Sequence, residues 1–204
     1  MTNYADLMFT DAVLAEQARE GSAGMYDSRY DARPFDGLGE AEREFLAARD
    51  SIYIASVSQT GWPYIQHRGG PRGFLKVTAP DTVAFADYRG NRQLITKGNL
   101  AGEDRVSIFA MDYARKARLK LQGHGRLIDA DDDPALADTL ATDGQGRVQR
   151  LMILRIAGFD WNCPQFITPR FTTDEMTALI GPELTRLEAE NAALRAQLAD
   201  RNAP

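Results

Sequence analysis

The chain has 204 residues and carries 24 Lys and Arg against 29 Asp and Glu, a formal net charge of −5 at pH 7. This length suits one domain with extensions, and the acidic balance argues against a nucleic-acid-binding protein, which usually has a basic domain. No apolar run approaches the ~20 residues that a membrane-spanning helix needs. The N-terminus lacks the basic start and apolar core of a signal peptide, so we expect a cytoplasmic protein without nucleic-acid or membrane partners.

Cysteine and histidine are scarce in this sequence. The single cysteine, Cys163, excludes an internal disulfide framework. It is interpreted as a plain buried cysteine, with a reactive thiol as the alternative. His67 and His124 are the two histidines, and with one cysteine they are too few for a structural zinc site. We therefore expect no metal.

Two helices are predicted before the first strand. Residues 3–20 are amphipathic and form the first, and residues 40–49 place Phe45 and Leu46 at helical spacing and form the second. The segment between them, residues 21–39, contains the Gly, Pro and Asp that are typical of a loop. We expect residues 1–49 to form an N-terminal helical extension.

A block of strands follows, in residues 50–170. Two hairpins are predicted, SIYIASVS with WPYIQHR and FLKVT with TVAFADY. RVSIFAMDY predicts a fully buried strand, ARKARLKLQGHGRLIDA a long strand that alternates apolar and basic residues, and RVQRLMILRIAGFDW a last strand. A helix is predicted over residues 131–141 and a loop at NCPQFITPRF. Antiparallel strands with short turns and flanking helices indicate a small β-barrel.

The basic residues are concentrated in the middle of the chain. Residues 66–126 contain twelve Lys and Arg against five Asp and Glu, a net charge of +7 within a chain of −5. This pattern predicts a bound anion, although solvated strand faces are the alternative. Gly90 and Asn91 allow a tight turn before a short helix, and the free N–H groups of that helix together with Arg92 would suit an anion. An ordinary capped turn is the alternative there.

The last segment, residues 171–204, is predicted to be a helical extension. Thr172 and Glu175 have the spacing of a capping box. The a and d positions of a heptad pattern fall on Leu184, Leu187, Asn191, Leu194 and Leu198. An Asn at a buried a position commonly fixes a parallel two-stranded register. Two alternatives stay open, a coiled coil with a second chain or one amphipathic helix packed on its own domain.

Three stretches carry a resemblance to a known family: DSIYIASVSQTGWPYIQHRGGPRGF, VAFADYRGNRQLITKGNL and RVSIFAMDY. Together they resemble the pyridoxamine 5′-phosphate oxidase-like family of FMN-binding split barrels over residues 40–129. FDWNCPQFI resembles a branch of predicted flavin-nucleotide-binding proteins. The resemblance implies a mainly β fold, an antiparallel split β-barrel with peripheral helices. It also implies a homodimer in which each FMN lies in a cleft between the two barrels.

The resemblance further implies which residues hold the FMN. The strand beside the isoalloxazine matches Gln66, His67, Arg68, Gly69, Gly70 and Pro71, and the strand end that passes the ribityl chain matches Ala86 and Asp87. The family's phosphate-binding Arg-Lys pair falls on Arg92 and Gln93, next to Asn91, so the Arg is kept and the Lys is not. A later glutamine falls on Arg118. We expect Lys97 or Arg118 to replace the lost charge, and Trp161 or Tyr88 to stack on the ring or shield it, with core packing as the alternative for both.

The chain also departs from the oxidase pattern. The C-terminal Arg-x-x-Pro region that binds pyridoxal phosphate is not visible, so vitamin B6 oxidation is not expected. F420-binding and haem-binding relatives share the barrel, and for haem His67 or His124 would be the candidate axial ligands. The leading hypothesis is an FMN-dependent oxidoreductase with an unknown small substrate. The alternatives are a non-enzymatic flavin carrier and a dimeric scaffold without a cofactor.

Overall fold

The computed structural model describes residues 3–27, 35–161 and 165–201. Cys163 lies outside these residues, so its interpretation as a buried cysteine stays a prediction. Parts of the loops predicted at residues 21–39 and at NCPQFITPRF also lie outside them. The chain divides into two compact units. The first comprises Met1–Asp112 and Ala117–Gln165, and the second comprises Tyr113–Lys116 and Phe166–Pro204. None of the helices in the described ranges is long and apolar enough to cross a membrane.

The first unit is built on one seven-stranded antiparallel sheet. Its strands are β1 (Ser51–Val57), β2 (Pro63–Gly69), β3 (Lys76–Ala79), β4 (Thr82–Asp87), β5 (Arg105–Asp112), β6 (Ala117–Asp129) and β7 (Arg150–Trp161). The spatial order is β2-β1-β5-β6-β7-β4-β3. The strands at the two ends of this order, β2 and β3, are not neighbours, so the barrel is split rather than closed. The predicted antiparallel split barrel with peripheral helices is confirmed, as are both predicted hairpins.

Short helices surround the sheet, and one long helix belongs to the second unit. The helices are α1 (Tyr4–Met8), α2 (Asp11–Arg19), α3 (Glu40–Ala47), α4 (Ile95–Gly102), α5 (Pro134–Leu140) and α6 (Thr173–Arg201), with a 3-10 turn at Ala130–Asp132. The predicted capping box of α6 is present, because Thr172 and Glu175 exchange hydrogen bonds of 2.9 and 3.2 Å.

Strand alternation separates a buried inner face of the sheet from an outer face. Burial alternates along β1, β5 and β6, and the inner residues are almost fully buried. They include Ile52, Ile54, Ile108, Leu119 and Leu121. A smaller cluster between β4, β7 and α5 contains Ala84, Leu140 and Leu151. The inner face therefore forms the main core, and the outer face remains available for other contacts.

Three predicted elements differ from those observed. The helix predicted over residues 3–20 is two helices, because Phe9 leaves the helical region and Thr10 is extended. The strand RVSIFAMDY is buried on one face only, since Ser107, Phe109 and Met111 are partly exposed on the other. The helix predicted over residues 131–141 begins as a 3-10 turn, and Asp133 then caps α5 by accepting a hydrogen bond from the backbone of Leu136.

Candidate functional site

A cleft of about 220 Å³ opens between the inner side of β2, the segment that follows β4, and the start of α4. Its lining combines residues that are distant in sequence with the whole GNRQ turn. The lining residues are Tyr64, Gln66, Arg68, Asp87, Tyr88, Gly90, Asn91, Arg92, Gln93, Leu94, Ile95, Thr96, Lys97, Leu127 and Arg150. Four of these side chains are cationic and one is a carboxylate, so the cleft is strongly positive.

The alternation of β2 divides the predicted stretch from Gln66 to Pro71. Gln66 and Arg68 lie on the side of the strand that lines the cleft. His67 lies on the opposite side, where its ring meets that of Tyr53 edge to face with centroids 5.5 Å apart. Side chains at successive strand positions point to opposite faces. The structure therefore brings Gln66 and Arg68 to the cleft and places His67 on the outer face.

The glycines after β2 serve the turn and are not among the lining residues. The backbone N–H of Gly70 donates to the carbonyl of Asp50 at 2.9 Å. A Cβ at Gly70 would lie 2.8 Å from Phe74, a buried core residue, so only glycine fits there without displacing that ring. Pro71 accepts a hydrogen bond from the backbone of Phe74. The structure thus gives Gly70 a packing role.

A buried carboxylate holds two arginines at the inner wall of the cleft. Asp87 Oδ1 accepts from Arg68 Nη1 at 2.9 Å, and Asp87 Oδ2 accepts from Arg150 Nε at 2.7 Å. The Asp87 side chain is only 8% exposed, and the arginines are 20% and 16% exposed. One carboxylate cannot neutralise two guanidinium groups. The Nε of Arg68 is also buried with no hydrogen-bond partner in the described part of the chain.

The GNRQ turn supplies further cations at the mouth of the cleft. Asn91 Oδ1 accepts the backbone N–H of Gln93 at 3.1 Å, which forms the turn. Arg92 and Leu94 adopt left-handed backbone conformations, with φ of 62° and 56°. Arg92 is exposed, and Lys97 has a long contact of 3.5 Å with the exposed Asp129. The charges of Arg92 and Lys97 therefore stay largely available.

Helix α4 presents its N-terminal end to this cleft. The residues at its start, Leu94 to Lys97, line the cleft, and no described side chain caps its first N–H groups. Thr96 Oγ1 donates to Gln66 Oε1 at 2.6 Å, and Asn99 Nδ2 donates to Ser56 Oγ at 2.9 Å. These two bonds anchor α4 on β2 and β1. An uncapped helix N-terminus with nearby cations is an anion-binding arrangement.

Three other predicted site residues lie outside the cleft lining. Arg118 is on the outer side of β6, 5.9 Å from the ring of Phe109, and its Nε is buried without a partner among the described residues. Ala86 packs against the smaller core cluster. Trp161 donates to Glu42 Oε1 at 2.6 Å and meets the ring of Phe45 edge to face. Within this unit none of the three shares the cleft with Arg92.

Tyr88 does line the cleft, but its hydroxyl is engaged. It accepts the backbone N–H of Thr142 at 2.7 Å, and its ring packs against the smaller cluster.

His124 pairs with Asp104 at 2.9 Å on the surface. Nearby, hydrogen bonds from Arg105 lower the pKa of the exposed Glu103 to about 2. Within the residues that the structure describes, no group of three or more His, Cys, Asp or Glu could hold a metal.

Sequence reasoning did not find Arg150 or Thr96 as residues of this cleft. Arg150 begins β7 and pairs with Asp87 across the β4–β7 ladder. Thr96 reaches the cleft because α4 is anchored on β2. Neither relation has a local signal, since both depend on which strands become neighbours. The basic residue count of the central stretch was the available signal, and Arg150 lies outside that stretch.

The comparisons with known proteins identify the family. A family model, that of pyridoxamine 5′-phosphate oxidase, matches residues 38–152, which is more than half of the chain. The chain therefore belongs to this family. A search of curated proteins finds no match.

Several solved structures are similar in fold. HupZ of Group A Streptococcus shares 12% identity with a TM-score of 0.49, covering 66% of this chain and 99% of that one. An FMN-binding protein from Syntrophomonas wolfei shares 12% identity with a TM-score of 0.44, covering 73% and 97%. An F420 reductase shares 14% identity with a TM-score of 0.43, covering 60% and 98%. The family assignment rests on the family model.

The Asp87 bridge gives a direct test of this geometry. Replacing Asp87 by Ala leaves two largely buried arginines without their shared carboxylate. Removing one partner of a buried ion pair costs about 3 kcal/mol or more, and urea unfolding should show this loss. Asp129→Ala is the control, because its exposed pair with Lys97 is worth about 0–1 kcal/mol. Equal, small losses in both variants would contradict the structural role of Asp87.

Proposed function

We propose that this protein is an FMN-binding flavoprotein that holds the FMN phosphate in the cleft at the start of α4. The observation that carries this proposal is the excess of four cationic side chains over one carboxylate around an uncapped helix N-terminus. Membership of the pyridoxamine 5′-phosphate oxidase family supports it. A phosphate is the anion for which a helix N-terminus and an arginine fork are suited.

The residues of the cleft fit a phosphate ester better than an apolar ligand. Arg92 provides a planar fork and the first N–H groups of α4 provide further donors. Lys97 supplies the second positive charge that the family's Arg-Lys pair has and that Gln93 lacks. Arg68 Nε is a buried donor that still needs an acceptor, and a polar group of the cofactor would provide it.

We further propose an oxidoreductase that acts on an unknown small substrate. Bound FMN would supply the redox chemistry. The chain's own part is to bind the phosphate, to orient the ring from β2, and to keep positive charge near it through Arg68, which Asp87 holds in place. A flavin carrier without enzymatic activity is the second candidate, since the same cleft would serve both.

We also propose that the protein is a homodimer. The cleft in one chain, about 220 Å³, is below the ~300–1,000 Å³ of typical small-molecule pockets, so one chain encloses only part of a cofactor of this size. On the outer face, an apolar groove of about 460 Å³ is lined by Tyr53, Ala55, Ile65, Ser107 and Phe109. Ile65 is 65% exposed there. A second copy seated on this face would bury the groove and bring Arg118 to the interface.

The phosphate proposal predicts a specific loss in Arg92→Ala. Removing this arginine takes away a charge-assisted interaction worth about 1.5–3 kcal/mol, so FMN affinity should fall roughly 10- to 100-fold. Fluorescence titration of the apoprotein with FMN measures it. Arg89→Ala is the matched control, because it removes the same charge from an exposed residue that does not line the cleft. If both variants kept the original affinity, the phosphate would not lie in this cleft.

The oxidoreductase proposal predicts a change of colour with a reduced nicotinamide donor. The FMN-loaded protein should lose its yellow absorption when NADH or NADPH is added without oxygen, and regain it in air. Absorption spectra under argon and then under air record both steps. A protein that stays yellow with both donors would instead favour the flavin carrier.

The dimer proposal predicts that the barrel unit alone still associates. A chain that ends at Gly181 lacks most of α6 and should retain the mass of a dimer in light scattering. Ile65→Arg in that shortened chain should give monomers, because it places a charge in the apolar groove. Leu14→Arg, on the exposed side of α2, is the control and should leave the mass unchanged. A monomeric shortened chain without these substitutions would overturn the proposal.

A further inference from the structure

We propose that α6 pairs with α6 of a second copy of this chain as a parallel, in-register, two-stranded coiled coil over residues 184–201. This interaction surface belongs to the second unit, whereas the residues that line the cleft belong to the first. It does not depend on whether the chain binds FMN. Its evidence is the pattern of apolar, amide and charged residues along one helix.

The a and d leucines of α6 form an apolar stripe along the helix. The helix has 29 residues, so it is about 43 Å long at 1.5 Å per residue, and none of them is buried. Its leucines at a and d positions are between 45% and 57% exposed, namely Leu184, Leu187, Leu194 and Leu198. Single exposed leucines are ordinary, but a heptad stripe is the seam that a partner helix covers.

Asn191 decides which arrangement the two helices take. It occupies the a position at the middle of the stripe. A parallel, in-register pair places it opposite the partner's Asn191, so the two amides can hydrogen-bond to each other. An antiparallel pair centred here would place it opposite the partner's Leu194 and leave a buried amide without an acceptor, which costs about 1–3 kcal/mol. The asparagine therefore favours the parallel register.

The charges beside the seam agree with a parallel pair. In a parallel coiled coil a g residue faces the e residue five positions later in the partner. Glu190 at g faces the partner's Arg195 at e, and symmetry forms this pair twice. Charge alone would also allow an antiparallel pair, in which Glu188 faces the partner's Arg195, so it is Asn191 that selects the direction.

The parallel pair contains one contact between like charges, and an ion pair within each helix weakens that repulsion. Glu183 at g would face the partner's Glu188 at e. Arg186 donates to Glu183 with two bonds, of 2.8 and 2.9 Å, and to Glu190 at 3.1 Å. The hydrogen bonds from Arg186 lower the pKa of Glu183. Pro182 is at an f position on the outside, where it leaves the seam undisturbed.

Disulfide trapping in the full-length chain tests the register. With Cys163 replaced by Ser, Leu187→Cys and Leu194→Cys should each form covalent dimers under mild oxidation, because facing d residues of a parallel pair lie within disulfide range. Ala192→Cys, at the outward b position, is the control and should cross-link at least roughly tenfold more slowly, because its thiols would lie outside that range. Equal rates at all three positions would overturn the proposal. If neither variant cross-linked alone but a mixture of the Leu187→Cys and Leu198→Cys variants did, the pair would be antiparallel and the proposal would be overturned as well.

A charge exchange tests the facing residues without altering the apolar seam. Glu190→Arg and Arg195→Glu should each slow cross-linking of the Leu194→Cys variant, because each places like charges across the interface. Combining both exchanges restores opposite charges and should recover most of the original rate. Helical circular dichroism of the variants shows whether α6 itself persists. If the combined exchange were no faster than the single ones while α6 remained helical, the facing pair would be absent.

Discussion

The site depends on the carboxylate of Asp87, which holds Arg68 and Arg150 together at the end of the sheet. The three residues come from β4, β2 and β7; β2 is at one end of the strand order, and β4 is next to the other end. The contact from Arg68 to Asp87 therefore spans the two parts of the split barrel. Since one carboxylate serves two guanidinium groups, the wall of the cleft remains positive. A bound anion would neutralise this excess positive charge.

The segment after β4 turns this charged wall into a binding cleft. Asn91 folds the GNRQ turn, and the hydrogen bonds of Thr96 and Asn99 fix α4 against β2 and β1. The helix N-terminus, Arg92 and Lys97 then share one opening with Arg68. Lys97, four residues after Gln93, brings a cation to the same opening, and we propose that it replaces the lysine that the family's pattern has at Gln93. This opening therefore has the chemistry of an anion-binding cleft.

The sequence predicted most of the fold and about half of the cleft. Alternation and turn residues predicted both hairpins, the long strand β6 and the capped start of α6, because those signals are local. The turn residues and Arg92 predicted an anion site at the GNRQ turn, and the resemblance led to Gln66, Arg68 and Asp87. It could not separate His67 from its neighbours in the cleft, since the face of each residue depends on strand register. Arg150 was missed because its place beside Asp87 arises only from the β4–β7 pairing. Trp161 was expected beside the ring, but Glu42 and Phe45 of a distant helix engage it outside the cleft lining.

We propose that the cleft recognises its cofactor by the phosphate. Riboflavin has the same ring and ribityl chain as FMN but no phosphate. The difference between the two affinities therefore measures what the phosphate contributes to binding. Titration of the apoprotein with each ligand, followed by flavin fluorescence, should show that FMN binds on the order of 100-fold more tightly. The reason is that the phosphate adds charge-assisted hydrogen bonds, each worth about 1.5–3 kcal/mol. Increasing salt should narrow the difference. Equal affinities for FMN and riboflavin would contradict the account.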